Sequence, residues 1–149
     1  GLVLSMEEGT LPRLVFPSRL FAGGWFGSGK QWWPWIHIDD VVGALRFLIE
    51  EESAVGPLNL TAPNPVTNKE FGKALGQAMN RPSLVPVPAV ALRLALGEVA
   101  SISLEGQRAI PQRLQELGYT FLYPEINGAL DNLLQDQDQP AGRSELMLA

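Results

Sequence analysis

Residues 29–40 read GKQWWPWIHIDD, and this stretch decides what the chain around it can fold into. It contains three of the four tryptophans, the single histidine and two adjacent carboxylates. His37 lies between Ile36 and Ile38, as in a half-buried strand, and an amphipathic helix pattern follows directly. Open α/β sheets bind ligands beyond the carboxyl ends of their strands. We therefore expect any ligand pocket of this chain to lie at this strand-to-helix junction.

The composition excludes several classes of partner. The 149 residues carry a formal net charge of -5, whereas nucleic-acid binding needs a basic face that displaces counterions from phosphates. There is no cysteine and only one histidine, so neither a disulfide framework nor a thiolate or histidine-rich metal site is expected. No apolar run reaches the roughly 18 residues that cross a bilayer. We predict a soluble, cytoplasmic protein without a nucleic-acid or membrane partner.

Two helices follow the junction. The first has an apolar face at helical spacing, and Asp39 or Asp40 is placed to cap its first turn. After a short strand predicted over 58–60, Thr67 and Glu70 form the spacing of a capping box and begin the second helix. The apolar face of the first helix is formed by Val41, Val42, Leu45, Leu48 and Ile49. That of the second is formed by Phe71, Ala74, Leu75, Ala78 and Met79.

The last third of the chain is rich in proline. A short helix is predicted over 89–96, a helical turn begins at Pro111, and 119–123 alternates like a strand. The last amphipathic helix covers 126–134. Residues 136–149 have no hydrophobic period and are predicted to be a disordered tail.

A glycine-rich segment over 24–30, GWFGSGK, has the G-x-x-x-x-G-K spacing of a phosphate-binding loop. Gln31 stands where that motif requires a serine or threonine, and Pro34 prevents the helix that would face the phosphate. The segment therefore indicates an ordinary glycine-rich loop, or else a loop that closes over a ligand.

The polar and aromatic residues of the junction leave two interpretations open. Trp32, Trp33 and Trp35 could stack on a sugar or base, or they could fill the seam between sheet and helix. The neighbouring Lys30 and Gln31 are typical of a pocket rim.

The remaining candidate residues have ordinary structural explanations. A lone histidine such as His37 is more often a hydrogen-bonded core residue than a catalyst. Arg108 and Arg113 could bind a substrate anion, although solvated or salt-bridged arginines are commoner.

No catalytic set is recognisable in this chain. A Gly-x-Gly-x-x-Gly fingerprint is absent, and Tyr-x-x-x-Lys is absent as well. The fourth residue after Tyr119 is Tyr123, and the fourth after Tyr123 is Asn127. We predict no catalytic residue and no metal ligand.

Longer stretches resemble a known family. WPWIHIDDVVGAL and GPLNLTAPNPVTNKEFGKALGQAMNRP are similar to the C-terminal part of extended short-chain dehydrogenase/reductases, in the atypical branch called NAD(P)-dependent epimerase-like. VPVPAVALRLALGEVA and LEGQRAIPQRLQELGYTFLYPEINGAL resemble the C-terminal domain of that branch, which has no assigned function. The resemblance covers 1–134.

The resemblance implies an α/β fold: the C-terminal portion of a Rossmann-like doubly wound fold plus a small, mostly helical substrate-side domain. The epimerase-like domain would end at residue 81, and the C-terminal domain would cover 82–135. The family's pyrophosphate loop and Tyr/Lys pair would precede Gly1. NADP is the implied cofactor, with Val3 against it and most of its other contacts outside this chain. His37 and Asp39 would lie between the cofactor and substrate domains.

The implied function is the substrate-side portion of an NAD(P)-dependent oxidoreductase or nucleotide-sugar epimerase-like protein, inactive by itself, with an unknown small-molecule substrate. Together with the polar and aromatic pattern, this makes a predicted substrate wall of Lys30, Gln31, Trp32, Trp33 and His37. The alternative is a non-enzymatic cell-division regulator or interaction domain, because some bacterial and plastid relatives carry that label. The chain begins without methionine in an apolar, strand-like run, so we expect a truncated sheet edge that promotes self-association.

Overall fold

A computed structural model describes residues 1–21, 23–83, 86 and 106–135. The helix predicted over 89–96 and the tail over 136–149 lie outside the described residues. The strands are β1 (Leu2–Leu4), β2 (Trp32–Trp33), β3 (Trp35–His37) and β4 (Val66–Thr67). The helices are α1 (Thr10–Arg19), α2 (Ile38–Glu50), α3 (Asn68–Ala78), α4 (Gln112–Glu116) and α5 (Ile126–Gln135).

The strands form two small sheets. β1 and β3 pair in parallel, with Val3 opposite Ile36, and α1 lies in the connection between them. Such a crossover is what parallel strands require. β2 and β4 pair antiparallel, with Trp33 opposite Val66, and this pairing holds the start of α3 beside the junction.

One apolar core joins the sheet to three helices. Leu4, Leu11, Trp35 and Leu130 are fully buried in it, and α3 packs directly against α5. Burying a side chain of this size contributes roughly 1.5–3 kcal/mol. The core therefore fixes α1, α3 and α5 around the carboxyl end of β3.

The elements with local sequence signals are confirmed. The predicted helices appear as α2, α3, α4 and α5, and the opening apolar run forms β1. The capping box is also present: the Glu70 amide donates to Thr67 Oγ1 at 3.3 Å, and the Thr67 amide donates to Glu70 Oε2 at 2.7 Å. Both bonds satisfy donors that a helix end would otherwise leave unpaired.

Two predicted strands are wrong, and one helix was not predicted. Residues 58–60 form no ladder, because the Leu60 carbonyl accepts from the Gly1 amino group and the Asn59 side chain donates to the Ile110 carbonyl. Residues 119–123 form none either: the Leu122 and Tyr123 amides donate to a side chain of α2 that is described below, and the Tyr119 amide donates to the Leu114 carbonyl. The sequence does not reveal α1, since Pro17 lies inside that helix.

The capping of α2 also differs from the prediction. Neither Asp39 nor Asp40 is the N-cap residue. The His37 ring takes that place, because its Nδ1 accepts from the Asp39 amide at 3.0 Å. The last residue of β3 thus begins the helix that follows it.

The capping box gives a first prediction. Thr67→Ala should lower the free energy of unfolding by about 1 kcal/mol, and Glu70→Ala should cost less in the Thr67→Ala background than alone. Urea unfolding of the four chains of a double-mutant cycle measures both effects. Gln77→Ala, an exposed change on the same helix, is the control. Strictly additive losses would contradict a cooperative box.

Candidate functional site

The junction between β3 and α2 buries two polar side chains. His37 is the last residue of β3, and Asp40 lies in the first turn of α2. Both are almost completely removed from solvent. A buried carboxylate is costly unless donors surround it, so the partners of these two residues determine what the junction can do.

Asp40 is held by the segment before α5. Its Oδ1 accepts from the Leu122 amide at 2.7 Å, and its Oδ2 accepts from the Tyr123 amide at 2.9 Å. The Tyr119 hydroxyl lies 3.2 Å from Oδ1 and 3.1 Å from the Asp40 carbonyl oxygen. Burial and the nearby Asp40 carboxylate raise the pKa of Tyr119 to about 12. The phenol therefore remains a neutral donor.

A glycine makes this contact sterically possible. A Cβ added at Gly43 would lie 2.6 Å from the Tyr119 hydroxyl oxygen. Any larger residue at this place on α2 would displace the phenol from Asp40. Gly43 thus leaves the space for the Tyr119 ring, and Asp40 supplies the hydrogen-bond acceptors for its hydroxyl.

Both nitrogens of His37 are occupied. Nδ1 accepts from the Asp39 amide, and Nε2 lies 3.1 Å from Asn132 Oδ1 on α5. The neutral tautomer with the proton on Nε2 satisfies both contacts. The ring also stacks on Tyr123 with centroids 3.9 Å apart. Burial lowers the pKa of His37, and Asp39 partly opposes this shift. His37 therefore joins β3, α2 and α5.

The glycine-rich loop is tied to the beginning of α3. The Phe26 amide donates to Asn68 Oδ1 at 2.6 Å, and Gln31 Nε2 donates to the Phe26 carbonyl at 3.0 Å. In return, the Asn68 and Lys69 amides donate to the carbonyls of Gln31 and Gly29. The first amides of α3 are thus used by the loop itself. These bonds favour the ordinary-loop interpretation over a phosphate cradle.

The tryptophans fall into two groups. Trp33 and Trp35 are buried, and Trp33 packs against Phe26 and Phe71 with ring centroids 5.8 and 5.1 Å away. Trp32 points the other way, as successive residues of a strand do, and it is partly exposed. Packing accounts for the first group, and Trp32 alone of these three remains accessible.

A guanidinium group covers the accessible indole. Arg108 lies over the Trp32 ring at 5.0 Å from its centroid; Arg108 is exposed and Trp32 is partly exposed. The chain approaches closely here: a Cβ at Gly106 would overlap the Trp32 carbonyl oxygen. The exposed Lys30 lies two residues before Trp32 in the chain. We call Lys30, Trp32 and Arg108 the Trp32 surface.

The structure thus places the five residues of the predicted substrate wall in different environments. Lys30 and Trp32 are accessible, Gln31 is a half-buried loop anchor, and Trp33 and His37 are internal. Substrate contact by these five residues stays a prediction. Val3, predicted to face the cofactor, is partly exposed on β1.

Sequence reasoning missed the residues that complete the junction. Tyr119 and Asn132 had not been singled out, and their partners on β3 and α2 are far away in the chain. Arg113 is accounted for without a ligand, since it donates to the Ser53 carbonyl and pairs with Glu116.

Two negative findings concern the described residues alone. Residues 1–21, 23–83, 86 and 106–135 contain no group of three or more His, Cys, Asp or Glu that could hold a metal ion. Within the same ranges, no helix has the length and apolar character that a membrane crossing requires.

The fold and the junction define a part of an α/β protein of the Rossmann-like type, with parallel strands and a polar strand-to-helix corner. Residues 87–133 match the family model described as a domain of unknown function, DUF1731. The epimerase family protein SA0724 of Staphylococcus aureus strain N315 is 42% identical over 136 residues, which are 91% of this chain and 45% of that protein.

Two solved structures are similar as well. The human epimerase family protein SDR39U1 (isoform 2), crystallised with NADPH, is 37% identical with a TM-score of 0.84, and the match covers 91% of this chain and 46% of that one. A nucleoside-diphosphate sugar epimerase from Corynebacterium glutamicum is 31% identical with a TM-score of 0.60, over 93% of this chain and 27% of that one.

Over about nine-tenths of its length the chain is similar to epimerase family proteins, and it spans less than half the length of each of these relatives. The resemblance seen in the sequence and the α/β fold class are confirmed. The domain boundary at residue 82 stays a prediction.

The buried carboxylate gives a second prediction. Asp40→Ala leaves two amides without their acceptor, while the phenol keeps the Asp40 carbonyl, and at about 1 kcal/mol or more for each amide it should lower the free energy of unfolding by about 2 kcal/mol or more. Asp39→Ala, next to it but exposed, should change stability by less than about 0.5 kcal/mol. Urea unfolding at pH 7 measures both variants. Equal losses would contradict the role of Asp40.

His37 gives a third prediction, which concerns pH. Because the folded pKa lies below the ordinary value of about 6.5, the unfolded chain binds the proton more readily. The stability from neutral His37 should therefore be complete above pH 6.5 and fall as the pH drops below it, until the folded pKa is reached. His37→Asn keeps a capping oxygen but does not titrate, so its unfolding free energy should be less pH-dependent. Parallel curves for the two chains between pH 5 and 8 would contradict this.

Proposed function

We propose that the intact protein is an NADP-dependent oxidoreductase or nucleotide-sugar epimerase-like enzyme, and that this chain supplies its substrate side. The observation that carries the proposal is the Trp32 surface, where an accessible indole and a guanidinium lie beside the strand-to-helix junction of an epimerase-family fold. Indole faces stack on sugars and bases, and arginine binds phosphate and carboxylate groups. Such a surface suits a small, anionic ligand with a flat ring or sugar.

The similar proteins support the cofactor and the substrate class. The human relative was solved with NADPH, and the Corynebacterium glutamicum relative is a nucleoside-diphosphate sugar epimerase. In this chain Val3 is accessible on β1, which fits a backbone contact with NADP. The sequence has no glycine-rich fingerprint for a pyrophosphate, so the other cofactor contacts belong to the part of the protein outside this chain.

The hydrogen bonds of the junction indicate how substrate positioning and catalysis are divided between this chain and the rest of the protein. Bound NADP supplies hydride transfer, and the proton-transferring tyrosine and its lysine are carried over from the family resemblance to the part outside this chain. His37 and Asp40 are excluded from proton transfer because their polar atoms are already paired with Asn132, the Asp39 amide and 119–123. The chain's own contribution is to position the substrate.

The fourth prediction tests this proposal in the intact protein, with UDP-glucose as the probe. Trp32→Ala should weaken binding of the probe at least tenfold while leaving NADPH affinity unchanged, because the stacking face is lost and Val3 is untouched. Lys73→Ala, exposed on α3, is the control. Calorimetric titration of each variant with UDP-glucose and with NADPH separates the two ligands.

Three outcomes would count against the proposal. Unchanged binding of UDP-glucose by Trp32→Ala would remove the Trp32 surface from the substrate site. A parallel loss of NADPH affinity would refute the division of labour. Tight NADPH binding by an intact protein that turns over no nucleotide sugar would favour the alternative of a non-enzymatic, cell-division regulator.

A further inference from the structure

The charged residues are unevenly distributed along the chain. Residues 10–38 and 68–83 contain six of the 11 Lys and Arg residues but only one of the 16 Asp and Glu residues, Glu70. The Glu70 carboxylate accepts from the amide and the hydroxyl of Thr67 in the capping box. The net charge of -5 therefore conceals two basic segments in an otherwise acidic chain.

Two cation–aromatic contacts bring the basic segments together. At the beginning of α3, Lys69 Nζ lies 4.7 Å from the centroid of the Trp25 ring. Just beyond the end of α3, the Arg81 guanidinium lies over the Phe21 ring at 4.5 Å from its centroid. The chain that follows α1 is thus held against both ends of α3, and the cations of the two segments share one surface.

Three large apolar side chains project into solvent at the end of α1. Phe16, Leu20 and Phe21 are 66%, 65% and 62% exposed. Phe16 and Leu20 are four residues apart, so they lie on the same side of the helix end. Arg19 and Arg81 are exposed next to them, the second directly over Phe21. We call Phe16, Arg19, Leu20, Phe21 and Arg81 the Phe21 face.

The backbone at Phe21 is strained. Its φ of 59° lies in the left-handed region, which a bulky side chain rarely adopts and which glycine adopts without cost. The Phe21 amide donates to the Ser18 carbonyl at 3.1 Å, which closes the turn after α1. The fold therefore holds an aromatic ring in solvent at an energetic cost. Backbone outliers of this kind cluster at functional positions.

The charges of the Phe21 face select its occupant. A second copy that docked by the same face would bring Arg19 and Arg81 against their own counterparts, which like-charge repulsion opposes. An acidic peptide would need a recess in which to bury its own apolar groups, whereas these side chains protrude. Protruding phenylalanine and leucine side chains flanked by arginine suit an anionic lipid surface.

We propose that the Phe21 face binds peripherally to anionic membrane surfaces. Phe16, Leu20 and Phe21 enter the headgroup layer, and the guanidinium groups of Arg19 and Arg81 meet the lipid phosphates. The expectation of no membrane partner rests on the net charge of the whole chain, which does not describe this face. The Phe21 face is distinct from the Trp32 surface, and the proposal does not depend on the cofactor.

Flotation of the full chain with lipid vesicles tests the proposal. The expected result is binding to vesicles of mixed phosphatidylcholine and phosphatidylglycerol, with little binding to pure phosphatidylcholine. Raising the salt concentration from about 0.1 M to about 1 M shortens the screening length from about 10 Å to about 3 Å, so binding should fall by roughly tenfold or more.

The apolar part of the face has a matched pair of variants. Phe16→Ala combined with Leu20→Ala should weaken binding to the anionic vesicles by roughly tenfold or more. Val55→Ala combined with Leu122→Ala changes side chains that are 73% and 67% exposed elsewhere, and it should leave vesicle binding unchanged. None of the four side chains is buried, so both double variants should keep the melting temperature of the unchanged chain.

The charged part and the strained ring are tested separately. Arg19→Glu should weaken vesicle binding by roughly fivefold or more, whereas Arg46→Glu, the same charge change on the exposed side of α2, should not. Phe21→Gly removes the ring and relieves the backbone strain. It should lower vesicle binding without lowering the melting temperature.

Four results would overturn the proposal. The first two are the absence of binding to anionic vesicles, or equal binding to neutral ones, and equal losses in the variants and their controls. The third is binding to soluble polyglutamate as tight as to anionic vesicles, which would identify an acidic protein segment as the partner. The fourth is a dimer of this chain that Phe16→Ala with Leu20→Ala dissolves, which would assign the face to a second copy.

Discussion

The buried carboxylate of Asp40 is the constraint on which the junction depends. Its donors are separated from it by 79, 82 and 83 residues along the chain. A carboxylate without donors in this interior would cost several kcal/mol, so 119–123 must remain against α2 whenever the domain is folded. That segment leads directly into α5, whose Asn132 then meets His37. One side chain thus couples the sheet corner to the last described helix.

This long-range bonding also marks the limit of sequence reasoning about the fold. The capping box of α3 and the apolar stripe of α5 were predictable because residues three and four apart carry the signal. The alternation over 119–123 was equally visible, but the Leu122 and Tyr123 amides donate to Asp40 instead of a neighbouring strand. The sequence leaves Asp39 and Asp40 as alternative capping residues, because nothing local distinguishes a capping carboxylate from a buried one. Partners more than 70 residues apart leave no trace in a single sequence.

The candidate site was predictable in place and only partly in detail. The stretch 29–40 does contain the polar corner, and strand alternation already separates Trp32 from Trp33. The sequence could not show which side of the strand faces the core. Trp33 packs against Phe26 and Phe71 in the core, and Arg108 lies over Trp32 on the other side. Arg108 was a candidate by residue type, yet its position over an indole is a property of the folded chain.

The same features bear on the proposed function, in which the catalytic groups lie outside this chain. A catalytic group needs a polar atom that can reach the ligand, often with a perturbed pKa. The polar atoms of the His37 ring and the Asp40 carboxylate are already hydrogen-bonded within the protein. A fully satisfied corner is rigid, and rigidity is what a positioning surface requires. The Trp32 surface projects from this corner, and β1 lies in the adjoining parallel sheet. In the proposed function, this corner holds both the cofactor beside Val3 on β1 and a substrate on the Trp32 surface of β2, and its rigidity fixes their relative position.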